Sequence, residues 1–246
     1  MGNARPGPVE LHLRKRKGWQ QNMLKTLRSK GNSLILAFIS GFADALFFIH
    51  LGGLFVGLVT GNVILLGLGL IGHEKGGLHG LQLLTFPLFM LGAGLAAILV
   101  AWIGPLRRAT SCTIVLAACA FAISAVLAIT QTGPDSACAL FAVVAMGMLT
   151  AIERLDPRLG PPFSLMTGNI AGLAVAGMRR LIGYKERPEE WGQSLTSIIL
   201  VIGFVAGCGA GAFAQKTVGV AGMLLPTLLL FLIGAFYSPQ SAQKPS

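Results

Sequence analysis

Long stretches of this chain contain no Asp, Glu, Lys or Arg, and this property limits the possible folds more than any other. Six stretches, two of which hold a single acid, cover residues 31–73 (with Asp44), 76–106, 109–152 (with Asp135), 159–178, 191–215 and 217–243. A membrane-crossing helix needs about 20 mostly apolar residues. With 54% hydrophobic and 11% charged residues, the chain has too few polar side chains for a soluble globule of its length. We therefore predict an all-α protein that crosses a membrane several times.

The basic residues are concentrated near the N-terminus. Eight of the nineteen Lys and Arg residues lie within the first thirty positions, where Glu10 is the only acid, and the net charge of the chain is +10. No folded basic domain with interleaved aromatic residues accompanies them, so we expect no nucleic-acid partner. Residues 1–32 instead have the composition of a basic cytoplasmic tail that lies near anionic lipid headgroups, with the lipid bilayer as its partner.

The tripeptide Thr-Gly-Asn interrupts two of the apolar stretches, at residues 60–62 and again at 167–169. The apolar pieces that flank it are short: 54–59, 63–72, 161–166 and 170–177. As helices, these pieces would reach about halfway through a hydrocarbon core of about 30 Å. We therefore predict two broken or re-entrant segments, with the tripeptide at the break near the midplane of the membrane.

Two topologies are compatible with these stretches. Either all eight apolar blocks cross the membrane, or segments 52–72 and 160–178 return to the side they entered from and six helices span, near 33–51, 81–103, 110–130, 137–152, 195–215 and 218–237. With a cytoplasmic N-terminus, eight spans place five basic residues of the membrane domain outside, whereas six spans place only Lys75 and Lys216 there. Because basic residues are enriched in cytoplasmic loops, we expect six spans and a cytoplasmic C-terminus.

A longer internal similarity accompanies the tripeptides. Gly-Phe-Ala-Asp-Ala at 41–45 precedes the first tripeptide, and Gly-Met-Leu-Thr-Ala at 147–151 precedes the second at nearly the same distance. We therefore divide the single transmembrane domain, 33–237, into repeats at 33–130 and 137–237, with a short tail at 238–246. Three spans in each repeat require opposite orientations, which is the 3+3 inverted repeat of many transporters.

The tripeptides are the predicted substrate site. A reversal inside a membrane must be buried in protein or line a wet cavity, and Gly, Thr and Asn supply the backbone freedom and the polar groups that it needs. The predicted substrate-binding residues are Thr60, Gly61, Asn62, Thr167, Gly168 and Asn169. The alternative is a motif that only permits close helix packing.

Asp44 is the predicted ion-coupling residue, because an ionisable side chain within a membrane segment is costly. Its possible partners are His50, six residues further along, and Thr150, which occupies the matching position in the second repeat. The alternative interpretation of Asp44 is a side chain near the interface, or a neutral one bonded to a nearby backbone break.

The sequence contains no recognisable enzyme motif, and we predict that the protein is not an enzyme and uses no metal or cofactor. Its four cysteines lack the CxxC spacing of zinc and redox sites. Glycines at 92–94 and 207–211 occupy matching helices of the two repeats and predict close helix contacts.

The stretch from Ser40 to Leu70, SGFADALFFIHLGGLFVGLVTGNVILLGLGL, closely resembles the signature of the YoaK family, small bacterial inner-membrane proteins of uncharacterised function. The matching features are the Gly-aromatic-x-Asp-Ala, Leu-Gly-Gly-x-Phe and Thr-Gly-Asn motifs. The resemblance covers residues 33 to 237 and implies about six spans in the bacterial inner membrane. The second repeat departs from the family pattern, because Leu149 and Thr150 stand where the family has amides.

Three functions fit these observations. The leading one is a permease, specifically a secondary transporter of a small solute, with a central site at the two tripeptides. The second is a channel in which the two segments form the pore constriction. The third is a membrane assembly factor or sensor that transports nothing. A unit of this size is also a candidate homodimer.

Overall fold

The part of the chain that can be described consists of helices and connecting loops, without strands. The computed structural model describes residues 8–71, 79–159, 162–184 and 188–237; predictions for residues 1–7, for Lys75 and for the tail 238–246 lie outside these ranges. The α-helices are α1 (Pro8–Leu51), α2 (Val59–Leu70), α3 (His79–Ile103), α4 (Leu106–Thr130), α5 (Asp135–Leu155), α6 (Met166–Leu181), α7 (Pro188–Val218) and α8 (Leu224–Phe236). The first helix thus begins within the predicted tail.

Five helical stretches of the described residues are long and apolar enough to cross a membrane: Lys30–Leu51, Gly80–Ile103, Leu106–Thr130, Asp135–Leu155 and Gly192–Phe236. The last contains 45 residues, about twice what one crossing requires. It is divided between α7 and α8 by a 3-10 turn that begins at Gly219, whose φ is +64°. The helix α2, with 12 residues, is shorter and about 18 Å long. These apolar helices indicate a membrane protein.

Two pairs of helices pack at backbone distance through glycine, α1 against α7 and α3 against α5. A Cβ on Gly41 would strike the carbonyl oxygen of Phe204, and one on Gly207 would strike that of Phe38. The same reciprocal contact joins α3 and α5, where Gly92 lies on the carbonyl of Val144 and Gly147 on that of Phe89. The predicted close contacts of the glycine clusters are therefore present, and they join the first helix of each repeat to the third helix of the other.

The chain leaves the helical conformation before each tripeptide. Residues 52–58, which we call loop A, connect α1 to α2, and residues 162–165, which we call loop B, lead into α6. Both tripeptides lie in the first turn of the following helix. The prediction that the tripeptide itself is the break between two short helices is therefore wrong, because the flanking pieces 54–58 and 162–165 are not helical and the break precedes the tripeptide.

Two glycines allow the turn at the start of loop A. Gly52 and Gly53 have φ values of +68° and +133°, which side chains with a Cβ rarely adopt. The peptide N–H of Gly53 donates to the carbonyl of Phe48 at 2.9 Å, which closes the C-terminus of α1. The chain then turns back toward the body of α1 and places loop A beside Asp44.

Candidate functional site

The carboxylate of Asp44 holds loop A. It accepts hydrogen bonds from the peptide N–H groups of Val56 (2.8 Å), Gly57 (2.7 Å) and Leu58 (3.1 Å). Asp44 is 4% exposed, so these donors replace the water that a carboxylate would otherwise bind. A non-helical segment has free peptide groups, and the carboxylate satisfies three of them. The predicted site residue Asp44 is therefore part of the structure that makes the break possible.

Asn62 of the first tripeptide also holds loop A. Its side chain accepts from the N–H of Phe55 at 2.9 Å and donates to the carbonyl of the same residue at 2.8 Å. The amide also donates to the hydroxyl of Thr85 in α3 at 3.1 Å. Asn62 and Thr85 are both fully buried. The amide thus fastens loop A to the helix that follows it and to the next helix along the chain.

Gln82 completes this first polar centre. Its side-chain N–H donates to the carbonyl of Gly53 at 3.0 Å, while its oxygen has no hydrogen-bond partner among the described residues. Gln82 is 1% exposed. A buried acceptor without a donor is costly, so the single bond to Gly53 leaves this side chain incompletely satisfied. We call the set of Asp44, Asn62, Gln82, Thr85 and loop A centre A.

The second repeat contains a matching set of contacts. Asn169 of the second tripeptide donates to the carbonyl of Pro162 at 3.4 Å and accepts from the hydroxyl of Ser197 in α7 at 3.0 Å. In both repeats the tripeptide Asn bonds to the residue seven positions before it and to a hydroxyl on the third helix. We call Glu153, Asn169, Ser197 and loop B centre B.

Glu153 holds loop B and is a candidate functional residue that the sequence does not single out. Its carboxylate accepts from the N–H of Phe163 at 2.8 Å and from the hydroxyl of Ser164. Glu153 is 4% exposed. Thr150, the predicted counterpart of Asp44, is half-buried, and no described residue hydrogen-bonds to its hydroxyl. The carboxylate that matches Asp44 in its contact with a loop therefore lies one helical turn beyond Thr150 in α5.

The remaining predicted residues lie in different environments. Thr60 and Thr167 are exposed, and so is Gly168. Gly61 is buried, and a Cβ there would lie 2.8 Å from the ring of Phe55. The tripeptides therefore present their Thr side chains outward, while their Asn side chains bond to the loops. Hydrogen bonds between centre A and centre B are absent from the described residues.

His50 does not join Asp44. Its ring bonds to the amide of Gln215 in α7 at 2.9 Å, and its other nitrogen lies 3.3 Å from the carboxylate of Asp135 at the start of α5. This cluster ties together the ends of α1, α5 and α7. The predicted partnership between His50 and Asp44 is therefore not present in this structure.

The two centres differ in their access to the surface. Centre A is closed, because Asn62, Gln82 and Thr85 are buried. Beside centre B, a cleft of about 250 Å³ opens between α6 and α7. Ser197, which bonds to Asn169, lines this cleft together with Gly172, Val175, Ala176, Arg179, Glu190, Gln193 and Ser194. The cleft thus reaches Ser197, the hydroxyl that bonds to the second tripeptide.

A separate buried carboxylate lies at the end of α5. Asp156 accepts from the hydroxyls of Thr110 (2.6 Å) and Tyr237 (2.8 Å) and pairs with Arg158 at 2.7 Å. Burial raises the pKa of Asp156, but the bonds from Arg158, Thr110 and Tyr237 outweigh it and hold the pKa below its ordinary 3.8. This group joins α4, the end of α5 and the end of α8. Within the described ranges, no three His, Cys, Asp or Glu side chains group together as a metal site requires.

Comparison with known proteins identifies the family. A family model described as "Protein of unknown function (DUF1275)" matches residues 33–236, which is most of the chain and contains both centres. The chain belongs to this family. No curated protein and no solved structure shows significant similarity to it. Membership in DUF1275 agrees with the extent of the resemblance found in the sequence and assigns no activity.

Proposed function

We propose that this protein is a permease of the bacterial inner membrane, a secondary transporter that moves a small solute past the two loop–tripeptide centres. The observation that carries the proposal is the pair of buried carboxylates, Asp44 and Glu153, each of which holds a non-helical loop before a short helix. Non-helical backbone within a membrane is tolerated where it is buried in protein or lines a cavity, and broken segments of this kind form the sites of many transporters. The protein is not an enzyme in this proposal.

Contacts between helix ends support six spans in a 3+3 inverted repeat. The end of α1 meets the start of α5 at His50 and Asp135, which requires both ends on one side of the membrane. Ser33 of α1 donates to the carbonyl of Leu159, which follows α5. With six spans, each pair shares a side; with eight, each would be split across the membrane.

The ends of α4 and α8 support the same topology. Arg107, in the first turn of α4, donates to the carbonyl of Tyr237 after α8 at 3.2 Å. Six spans put both on the cytoplasmic side, whereas eight spans separate them. The exchanged glycine contacts, α1 with α7 and α3 with α5, also match under interchange of the two repeats. The YoaK assignment, cytoplasmic termini and a homodimer are further parts of this proposal.

The unequal access of the two centres favours a transporter over a channel. Centre A is closed and centre B adjoins a cleft, which in the six-span topology opens toward the cytoplasm. A transporter exposes its site to one side at a time, whereas an open channel connects both sides at once. Thr60 and Thr167 are exposed, and in this proposal their hydroxyls are the tripeptide groups that contact the solute.

Cysteine labelling from each side of the membrane tests the proposal. The four native cysteines are replaced by alanine, and a single cysteine is placed at Thr60 or Thr167. We expect a membrane-impermeant maleimide to label position 60 from the periplasmic side and position 167 from the cytoplasmic side. A cysteine at Met90, which is exposed in the middle of the apolar helix α3, is the control; in this proposal Met90 belongs to the lipid-facing surface, so it should label from neither side.

Other labelling patterns would overturn the proposal. Labelling of positions 60 and 167 from one common side contradicts the inverted topology. Labelling of either position from both sides contradicts the one-sided access expected for each tripeptide. Absence of labelling at both positions removes the wet pathway and leaves a protein whose tripeptides only pack.

A further inference from the structure

Glu153 lies at the junction of two parts of the second repeat. It belongs to α5, which ends two residues later at Leu155, and its carboxylate reaches forward to loop B. Its contacts with the loop are the peptide N–H of Phe163, the hydroxyl of Ser164 and the peptide N–H of Ser164. Phe163 is 1% exposed, so its N–H has no water to replace the carboxylate. The position of loop B therefore depends on the acceptor strength of Glu153, together with the bond from Asn169 to Pro162.

Centre A and centre B differ in how firmly the carboxylate holds the loop. Asp44 accepts three consecutive peptide N–H groups from loop A. Glu153 accepts the peptide N–H groups of Phe163 and Ser164, while a further contact, the Ser164 hydroxyl, can rotate and change from donor to acceptor. A peptide N–H can only donate. Protonation of Glu153 therefore weakens the peptide contacts but leaves the Ser164 hydroxyl able to accept the new proton, whereas the three loop A groups that bond to Asp44 are all peptide N–H donors.

Few charges surround Glu153. Arg154, its neighbour in α5, is the charged residue with an electrostatic effect on it. Among the helices that pack against α5, α3 contains only His79 at its first residue. Within residues 30–51 of α1, in α4 and in residues 156–159 after α5, the other charged or histidine residues are Lys30, Asp44, His50, Arg107, Arg108, Asp156 and Arg158, of which Asp156 and Arg158 are paired. A change of charge on Glu153 is thus poorly compensated by its surroundings.

We propose that Glu153 is the proton-operated gate of centre B: its charged form holds loop B in place, and its protonated form releases the loop. Asn169 is fastened to Pro162 of the same loop, so release also frees the second tripeptide beside the cleft. The proton binds to one carboxylate oxygen on uptake and leaves from it on return, without further chemistry. The proposal rests on the proposed transport function and names the positioning residue through which protons act on it.

The matched residues Leu165 and Leu58 provide a test. Leu165 ends loop B and Leu58 ends loop A, both are exposed, and the side chains of neither take part in the bonds to the carboxylates. Single cysteines are placed at each in the cysteine-free protein, and labelling rates with the maleimide are measured between about pH 6 and pH 8 on protein in detergent, where the reagent reaches both faces. The rate at position 165 is divided by the rate at position 58, which cancels most of the pH dependence of the thiol itself.

With Glu153 present, we expect this ratio to rise as the pH falls. Glu153→Gln, which imitates the neutral acid, should raise the ratio at pH 8 by at least about tenfold and remove its pH dependence. Asp44→Asn should leave the pH dependence of position 165 in place. A ratio that does not change with pH in the protein that retains Glu153 would overturn the proposal, and this measurement does not depend on the folding of any variant at position 153. If the sidedness of positions 60 and 167 holds while the ratio stays flat, this inference alone fails.

Discussion

A carboxylate inside a membrane protein is stable only when the protein supplies what water would have supplied. At Asp44 the donors are three consecutive peptide N–H groups, and the same bonds satisfy the loop that has left the helical conformation. The charge and the break are therefore mutually dependent. A loop of this kind without the carboxylate would leave three buried N–H groups unpaired, and the carboxylate without the loop would be unsolvated.

Replacement of Asp44 should show this dependence directly. We expect Asp44→Ala to lower the free energy of unfolding by at least about 3 kcal/mol, because each buried N–H left unpaired costs about 1–3 kcal/mol. Asp44→Asn retains one acceptor oxygen, so its free energy of unfolding should fall clearly less than that of Asp44→Ala. Thermal unfolding in detergent measures the loss. The control is Asp135→Asn: Asp135 is exposed and pairs with His50, so this substitution should change stability little. Equal losses in Asp44→Ala and Asp135→Asn would contradict this account of loop A.

Asp156 gives a prediction with a definite direction in pH. Its pKa lies below the ordinary 3.8, since the bonds from Arg158, Thr110 and Tyr237 outweigh the effect of burial. A carboxyl whose folded pKa is depressed stabilises the fold above its unfolded pKa and loses that contribution as the pH falls through the folded value. We expect the melting temperature of the protein to fall below about pH 4 more steeply than that of Asp156→Asn. If both proteins respond to acid alike, Asp156 is not bonded as described.

The sequence could single out Asp44 but not Glu153. Asp44 is the only acid in a long apolar stretch, so its cost within a membrane is evident. Glu153 begins a polar segment with two arginines and two acids, which is typical of an interfacial loop. The signal that would have identified Glu153 is its separation from the loop along the sequence. Asp44 bonds to residues 12–14 positions later, and Glu153 bonds to residues 10–11 positions later. Alignment by residue type selected Thr150 instead.

At the scale of elements, the helices were easier to predict than the breaks. Apolar length alone predicts the long helices, because backbone groups in lipid must bond internally. The start of α2 and α6 depends on bonds from other parts of the chain, Asp44 to loop A and Glu153 to loop B. No local pattern contains that information. The sequence-based prediction therefore places each break at the tripeptide, which in fact lies in the first turn of the helix that follows the break.

Close helix packing provides a prediction with an internal control. In α7 a Cβ on Gly207 would strike the carbonyl of Phe38, while one on Gly209, two residues away, meets nothing within 4 Å. We expect Gly207→Ala to cost about 1–3 kcal/mol through overpacking against α1. Gly209→Ala should be neutral or stabilise by up to about 1 kcal/mol, because alanine favours the helix. Melting temperatures in detergent give the comparison.

The same test can be repeated in the other repeat. In α3, Gly92 lies against the carbonyl of Val144 in α5, and Gly94 has open space at its Cβ position. We therefore expect Gly92→Ala to lower the stability about as much as Gly207→Ala. Gly94→Ala should change the stability as little as Gly209→Ala. Equal behaviour of Gly92 and Gly94 would show that α3 and α5 do not approach at backbone distance.

At the scale of the whole molecule, the number of spans decides which surfaces face each side. The apolar stretches alone permit six or eight spans, and the charge distribution favours six. Contacts between helix ends add long-range information that the sequence lacks, because two residues in contact must lie on the same side of the membrane. The three contacting pairs are His50 with Asp135, Ser33 with Leu159, and Arg107 with Tyr237. Three independent pairs favour the same topology, and each would be separated by the membrane in the alternative.

The two ends of α4 give the sharpest test of that topology. Thr132 follows α4 and is exposed, and Arg108 lies in the first turn of α4 and is exposed. With six spans and a cytoplasmic N-terminus, a cysteine at 132 faces the periplasm and one at 108 faces the cytoplasm; with eight spans the two exchange sides. We expect an impermeant maleimide to label position 132 in intact cells and position 108 only in inside-out vesicles. The exchanged result would remove the inverted repeat, and with it the reason to regard centres A and B as opposed halves of one transport pathway.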